Sequence, residues 1–158
     1  IEIICVISNN SKSKGLYYAK EFKIKKKIFD FNGTNISDQR ILLFLKKNQI
    51  KLICLAGFMK ILTKNFIQKF NGKIINIHPS LLPKYKGLNT HQRAIDNKER
   101  FSGCTVHFVN SSLDSGKIIL QKRIKISKND NSFSLAKKIL KKEHILYPQA
   151  IKKLFSSL

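Results

Sequence analysis

Leu52-Ile53-Cys54-Leu55-Ala56-Gly57, then Thr63 to Phe70, then Ile74-Ile75-Asn76-Ile77-His78-Pro79: the order of these three stretches decides the fold. The first is an unbroken apolar run ending in glycine, where the chain can turn sharply, and it reads as a buried strand. The second opens on a threonine suited to capping a short helix. The third is another apolar run, a strand that carries Asn76 and runs into His78-Pro79. Apolar strand, helix, apolar strand is the pattern of an α/β protein.

The alternation continues outward on both sides. Ile3 to Ile7 reads as a buried strand, Gly15 to Phe22 as a helix, and Ile24 to Phe29 as a strand with lysines on its polar positions. A loop passes through Asn32-Gly33-Thr34, and Ser37 is placed to cap a helix from Asp38 to Lys47. Downstream come a loop from Ser80 to Gly87, a helix from His91 to Asn97, and strands over Cys104–Val109 and Ile118–Ile126. A long helix starts at Ser132 or Ser134 and reaches Phe155, with Pro148 marking a kink or break. The expectation is a single domain over residues 1–158, with a mostly parallel sheet and helices on both faces.

Composition narrows the function class. Apolar residues make up 42% and charged residues 25% of the 158 positions, which suits a soluble globular domain with a real core. No apolar run approaches the roughly 20 residues that cross a bilayer, and no signal peptide opens the chain, so a cytoplasmic protein without membrane contact is expected. Cys5, Cys54 and Cys104 are far apart in strand-like runs and read as reduced core thiols, and no metal-ligand cluster is spaced along the chain. The net charge of +22 would suit nucleic acid, yet the lysines are scattered and no long basic block interleaves with aromatics. It reads as a compositional habit that would still favour an anionic substrate.

Ligands of open α/β sheets sit beyond the carboxyl ends of the strands. That rule points to Gly57-Phe58-Met59, to Asn76 through Pro79, and to the loop after Val109. Asn76 and His78, two apart on a strand, share a face, and Pro79 biases His78 toward extended backbone. Asp114, in Leu113-Asp114-Ser115-Gly116, offers a carboxylate that could approach His78. An amide N–H and a protonated imidazole can stabilise an oxygen that turns negative during acyl-type transfer, and a carboxylate can relay the proton lost by an amine. A histidine after a strand is also often a satisfied turn residue, and Asp-Ser-Gly an ordinary turn.

Asn76-Ile77-His78-Pro79-Ser80-Leu81-Leu82-Pro83-Lys84-Tyr85-Lys86-Gly87, followed by Leu88-Asn89-Thr90-His91, resembles the signature loop of folate-dependent formyltransferases, the glycinamide ribonucleotide formyltransferase family in particular. Leu55 to Leu62, Gly103 to Val109, Leu113 to Gly116 and Glu143 to Pro148 are similar to that family in the same order. The resemblance implies a Rossmann-like formyltransferase fold. It also implies transfer of a formyl group from 10-formyltetrahydrofolate to the amine of 5-phosphoribosylglycinamide, in purine (IMP) biosynthesis, without a metal. Matched residue by residue, Asn76 and His78 would stabilise the tetrahedral intermediate and Asp114 would orient and charge His78. Met59, Lys60, Ile61 and Leu62, with Asn76, would bind the folate, Ile61 and Leu62 also serving in part as core. Glu143 would hold the substrate amine, and His107 would stand behind the site at best. His91 and His144 read as packing or helix-surface residues.

The chain departs from the family pattern in three places. It opens on what resembles the second strand, so the first strand and its phosphate-binding Gly-Ser-Asn loop are expected to be missing. The Asn32-Gly33-Thr34 loop lacks an arginine used near the folate tail. The end comes soon after the long helix. A fragment of a longer protein, monomer or homodimer, is expected. Rival readings are methionyl-tRNA formyltransferase, formyltetrahydrofolate deformylase, and a non-catalytic basic module that binds nucleic acid.

Overall fold

The computed structural model describes residues 1–31 and 33–156. Asn32, in the loop compared with the family above, lies outside the described residues. The chain divides into two compact units: Ile1–Lys51 with Met59–Gly72, and Leu52–Phe58 with Lys73–Leu158.

In the first unit, strands β1 (Cys5–Ser8) and β2 (Lys25–Ile28) pair in parallel, Cys5 opposite Lys25 and Ser8 opposite Ile28. Helix α1 (Lys14–Glu21) makes the crossover between them and buries Leu16 and Ala19. Helix α2 (Asn35–Lys47) begins three residues before the expected start. Its cap is Thr34, not Ser37. Thr34 has the extended backbone a cap requires (φ −84°, ψ 153°), and its hydroxyl accepts the Ser37 N–H at 3.2 Å. Ser37 lies inside the first turn and donates its hydroxyl back to the Thr34 carbonyl. Thr63 caps α3 (Lys64–Lys69) as the sequence suggests, accepting from Phe66 N–H at 3.0 Å. The same hydroxyl donates to the buried Asp38 carboxylate, which ties α2 to α3.

The second unit is a four-stranded sheet in the order β3 (Leu52–Leu55), β4 (Lys73–His78), β5 (Phe101–Phe108), β6 (Ile118–Lys125). β3 and β4 are parallel, whereas β4–β5 and β5–β6 are antiparallel. The mostly parallel sheet is therefore corrected to a mixed one. The connection from residue 109 to residue 117 is too short for a parallel crossover, which takes about a dozen residues or more. The β4–β5 connection holds helix α4 (Thr90–Asp96) and could have served either direction.

Helix α5 (Ser132–Ser156) buries Leu135, Ile139, Leu146 and Ala150. These meet Ile75 and Ile77 of β4, Cys104 and Val106 of β5, and Ala94 of α4 in one core. The helix runs through Pro148 rather than breaking there. Proline removes one backbone hydrogen bond, and the buried Leu146 and Ala150 on either side hold the helix to the sheet. Tyr147 adds a polar tie, its hydroxyl lying 2.7 Å from the Leu55 carbonyl and 3.2 Å from that of Ile75. Cys104 is a core thiol, pushed up to about 12 by burial. Cys54 is exposed and Cys5 half-buried, so the core role expected for all three cysteines holds for Cys104. No described helix is long and apolar enough to cross a membrane.

Strand alternation leaves Asn76 and His78 on the side of the sheet opposite Ile75 and Ile77, and Thr105 and His107 opposite Cys104 and Val106. This second face carries the polar groups described below.

Two substitutions probe this arrangement. Leu135→Ala empties a fully buried site between α5 and the sheet, and chemical denaturation should show a loss of about 3 kcal/mol. A side chain at Gly116 would collide with the Phe108 carbonyl beside the Asp114 turn. Gly116→Ala should lower stability by ~2 kcal/mol in the same measurement, because backbone rather than a flexible side chain must move.

Candidate active site

The β4–β5 register sets His78 opposite Thr105 and Asn76 opposite His107. Thr105 is fully buried and anchors the loop that follows His78. Its hydroxyl donates to the Ser80 carbonyl at 2.7 Å, and accepts from Leu82 N–H at 3.1 Å and from the Gln121 amide at 2.9 Å. Gln121 donates also to the Leu82 carbonyl at 2.8 Å. Further along, the Ser80 hydroxyl donates to the Lys84 carbonyl at 2.6 Å.

Glu99 holds the far end of the loop. It accepts from Lys84 Nζ at 2.6 Å and from the Tyr85 hydroxyl at 2.9 Å, and these bonds hold its carboxyl below the usual range. The Arg93 guanidinium lies over the Tyr85 ring, 5.1 Å from its centre, and donates to the Lys86 carbonyl at 2.7 Å. Tyr85 is thus fixed in a left-handed conformation, φ 56°, and its carbonyl oxygen lies 2.9 Å from His78 Nε2. A carbonyl accepts only, so Nε2 carries a hydrogen and donates it.

The other ring nitrogen of His78, Nδ1, is 3.4 Å from Asp114 Oδ2. That is longer than a good hydrogen bond, which leaves room for a second acceptor at Nδ1. Asp114 is itself positioned: Oδ2 accepts the Gly87 N–H at 2.8 Å, while Oδ1 lies 3.6 Å from His107 Nε2. The side chains of His78 and Asp114 are 7% and 8% exposed, so they meet largely out of water. His107 donates Nδ1–H to the Phe108 carbonyl at 2.8 Å, and its Nε2 lies 3.5 Å from Asn76 Nδ2. Burial pulls His107 below the ordinary histidine range, outweighing the carboxylate beside it.

The structure therefore brings Asn76, His78 and Asp114 together, and it adds His107, Gly87, Tyr85 and the Thr105–Gln121 clamp. Sequence reading placed His107 behind the site at best. The alternation of β5 puts Thr105 and His107 on one face, but the strand partner that gives this meaning is not written locally. Glu143, on α5, is half-buried in a groove of about 280 Å³ with Pro79, His91, Phe133 and Leu140. Burial lifts its carboxyl above the usual range. His91, expected to be a packing or helix-surface residue, opens on that groove, and its buried Nδ1 has no hydrogen-bond partner among the described residues. His144 is exposed.

Met59, Lys60, Ile61 and Leu62 belong to the first unit, whereas the residues above belong to the second. Met59 and Ile61 are 74% and 76% exposed, so core packing does not account for Ile61, while Leu62 is half-buried. Two apolar side chains held open to solvent suit contact with a flat, largely apolar ligand. Among the described residues no group of three or more His, Cys, Asp or Glu could hold a metal ion.

The chain as a whole is similar to known proteins. The family model for formyl transferases matches residues 1–151. A phosphoribosylglycinamide formyltransferase of Haemophilus influenzae is 45% identical over 96% of this chain and 73% of its own length. A trifunctional purine biosynthetic protein adenosine-3 of Chironomus tentans is 42% identical over 96% of the chain, which spans 11% of that larger protein. The crystal structure of phosphoribosylglycinamide formyltransferase from Anaplasma phagocytophilum superposes with a TM-score of 0.89 at 41% identity, covering 96% of this chain and 73% of that one. With the polar cluster at the end of β4 and this agreement along nearly its whole length, the chain belongs to the formyl transferase family and, within it, to the phosphoribosylglycinamide formyltransferases.

Proposed function

We propose that this chain moves a formyl group from 10-formyltetrahydrofolate to the amine of 5-phosphoribosylglycinamide, a step of purine biosynthesis, and that Asn76, His78 and Asp114 carry the chemistry. The observation behind the assignment of residues is the buried cluster in which the Asp114 carboxylate, fixed by the Gly87 N–H, faces His78 Nδ1 at 3.4 Å. The folate supplies an activated formyl carbon. Asn76 N–H and His78 Nδ1–H donate to the formyl oxygen as the amine attacks and that oxygen gains charge. Asp114 orients His78 and, directly or through water, accepts the proton the amine loses. That proton returns to the departing folate nitrogen as its bond to the formyl carbon breaks. Met59 to Leu62 contact the folate ring, and Glu143 contacts the substrate amine from the groove beside Pro79. A single formyl transferase domain over the chain is supported by one family model spanning residues 1–151.

The test is tetrahydrofolate release with 5-phosphoribosylglycinamide as acceptor, beside controls with water alone and with charged initiator tRNA. His78→Ala and Asp114→Asn should each lower kcat by about 10²–10⁴-fold while circular dichroism reports an intact fold. Release that occurs with water or tRNA alone moves the assignment to a deformylase or to a tRNA formyltransferase.

Glu143 gives a second test with an opposite sign for stability. Its folded-state value is raised, so the folded chain holds the proton more tightly than the unfolded chain. The stability tied to that proton is complete at acid pH and is lost as pH rises through the folded-state value. Glu143→Gln should therefore melt higher than the wild type at neutral pH and equally at acid pH. Its KM for the amine substrate should rise about 10–100-fold, the worth of a hydrogen bond to a charged group.

A further inference from the structure

Asn76 and His107 stand directly opposite each other on antiparallel strands, on the face away from the core. His107 is 2% exposed. Its Nδ1 lies 2.8 Å from the Phe108 carbonyl oxygen, which only accepts, so the ring hydrogen sits on Nδ1. Burial favours the neutral ring. A neutral ring protonated on Nδ1 presents a bare lone pair at Nε2. That lone pair faces Asn76 Nδ2 at 3.5 Å and Asp114 Oδ1 at 3.6 Å.

The two ends of a carboxamide have nearly the same shape, so its neighbours decide which way it turns. With Asn76 turned over, its carbonyl oxygen would confront the Nε2 lone pair beside the Asp114 carboxylate, acceptor against acceptor. The NH2 end gives the lone pair a donor. We infer that His107 is a positioning residue that holds the Asn76 carboxamide with its NH2 group toward the Asp114 side of the site, so that an N–H rather than a C=O meets the formyl oxygen. The inference rests on the reading above that Asn76 donates to that oxygen. His107 itself touches no reacting atom.

A double-mutant cycle tests this. Asparagine at position 107 can still donate to the Phe108 carbonyl but offers nothing at the Nε2 position, which the longer glutamine reaches with its carbonyl oxygen. His107→Asn should lower kcat about tenfold with both KM values within about twofold, and His107→Gln should restore most of the loss. In an Asn76→Ala background, His107→Asn should cost less than about twofold more, since the group it positions is gone. An equal loss in both backgrounds, with Asn76→Ala itself impaired, overturns the positioning role alone. Undiminished kcat in Asn76→Ala overturns the oxyanion reading and this inference with it. Imidazole nitrogen shifts in the wild-type protein give an independent check that needs no variant. They should report His107 neutral and protonated on Nδ1, and a ring protonated on Nε2 overturns the inference.

Discussion

The antiparallel pairing of β4 with β5 is the constraint on which the site depends. Its register sets Asn76 against His107 and His78 against Thr105 on one face, while Ile75, Ile77, Cys104 and Val106 meet α5 on the other. Because side chains alternate, a slip of one residue in either strand would drive its polar pair into the core and its apolar pair out. Packing and chemistry are thus locked by the same hydrogen bonds. The apolar residues that make the slip costly are the ones that hold the polar face in place.

From that face the site is built by fixing backbone as much as side chains. Thr105 and Gln121 hold the loop at Ser80 and Leu82, and Glu99 and Arg93 hold it at Lys84 to Lys86. Between these anchors the Tyr85 carbonyl and the Gly87 N–H are presented to His78 and Asp114. Buried polar groups are costly unless paired, and here several pairings also fix the direction of His78 and Asp114, the residues proposed to react. Asp114 itself sits at φ 45°, a sparsely populated conformation for a non-glycine residue, held by the turn that Gly116 packs under the Phe108 carbonyl.

Much of this was legible in the sequence where the signal is local. Apolar runs marked β3 and β4 most clearly, whereas β2 is mostly lysine; Thr63 marked its cap, and Asn76, His78 and Asp114 stood out by residue type and position. What could not be read depends on partners far along the chain. The direction of β5 is set by pairing, not by its composition, and so the sheet proved mixed. The choice of Thr34 over Ser37 turned on backbone angles, because either hydroxyl could cap a helix. Pro148 looked like a break because its local cost is plain, whereas the burial of Leu146 and Ala150 that offsets it is tertiary. His107 took on meaning only with Asn76 across from it and Phe108 O within reach.

The short strand β2 is worth following one step further. Three of its four residues are Lys25, Lys26 and Lys27, all exposed, and among the described residues it pairs with β1. Lys25 finds the Asn48 side chain and the Phe44 ring, neither of them an anion. With 31 basic residues against 9 acidic ones, there are too few carboxylates to neutralise such a strand from within. Dissolved anions must do it instead. Ionic strength then acts on this end of the molecule as it does on a polyelectrolyte, relieving more repulsion than the attraction it screens. The first unit should be tightest in salty solution and loosest in dilute buffer, the reverse of a fold held together by surface ion pairs.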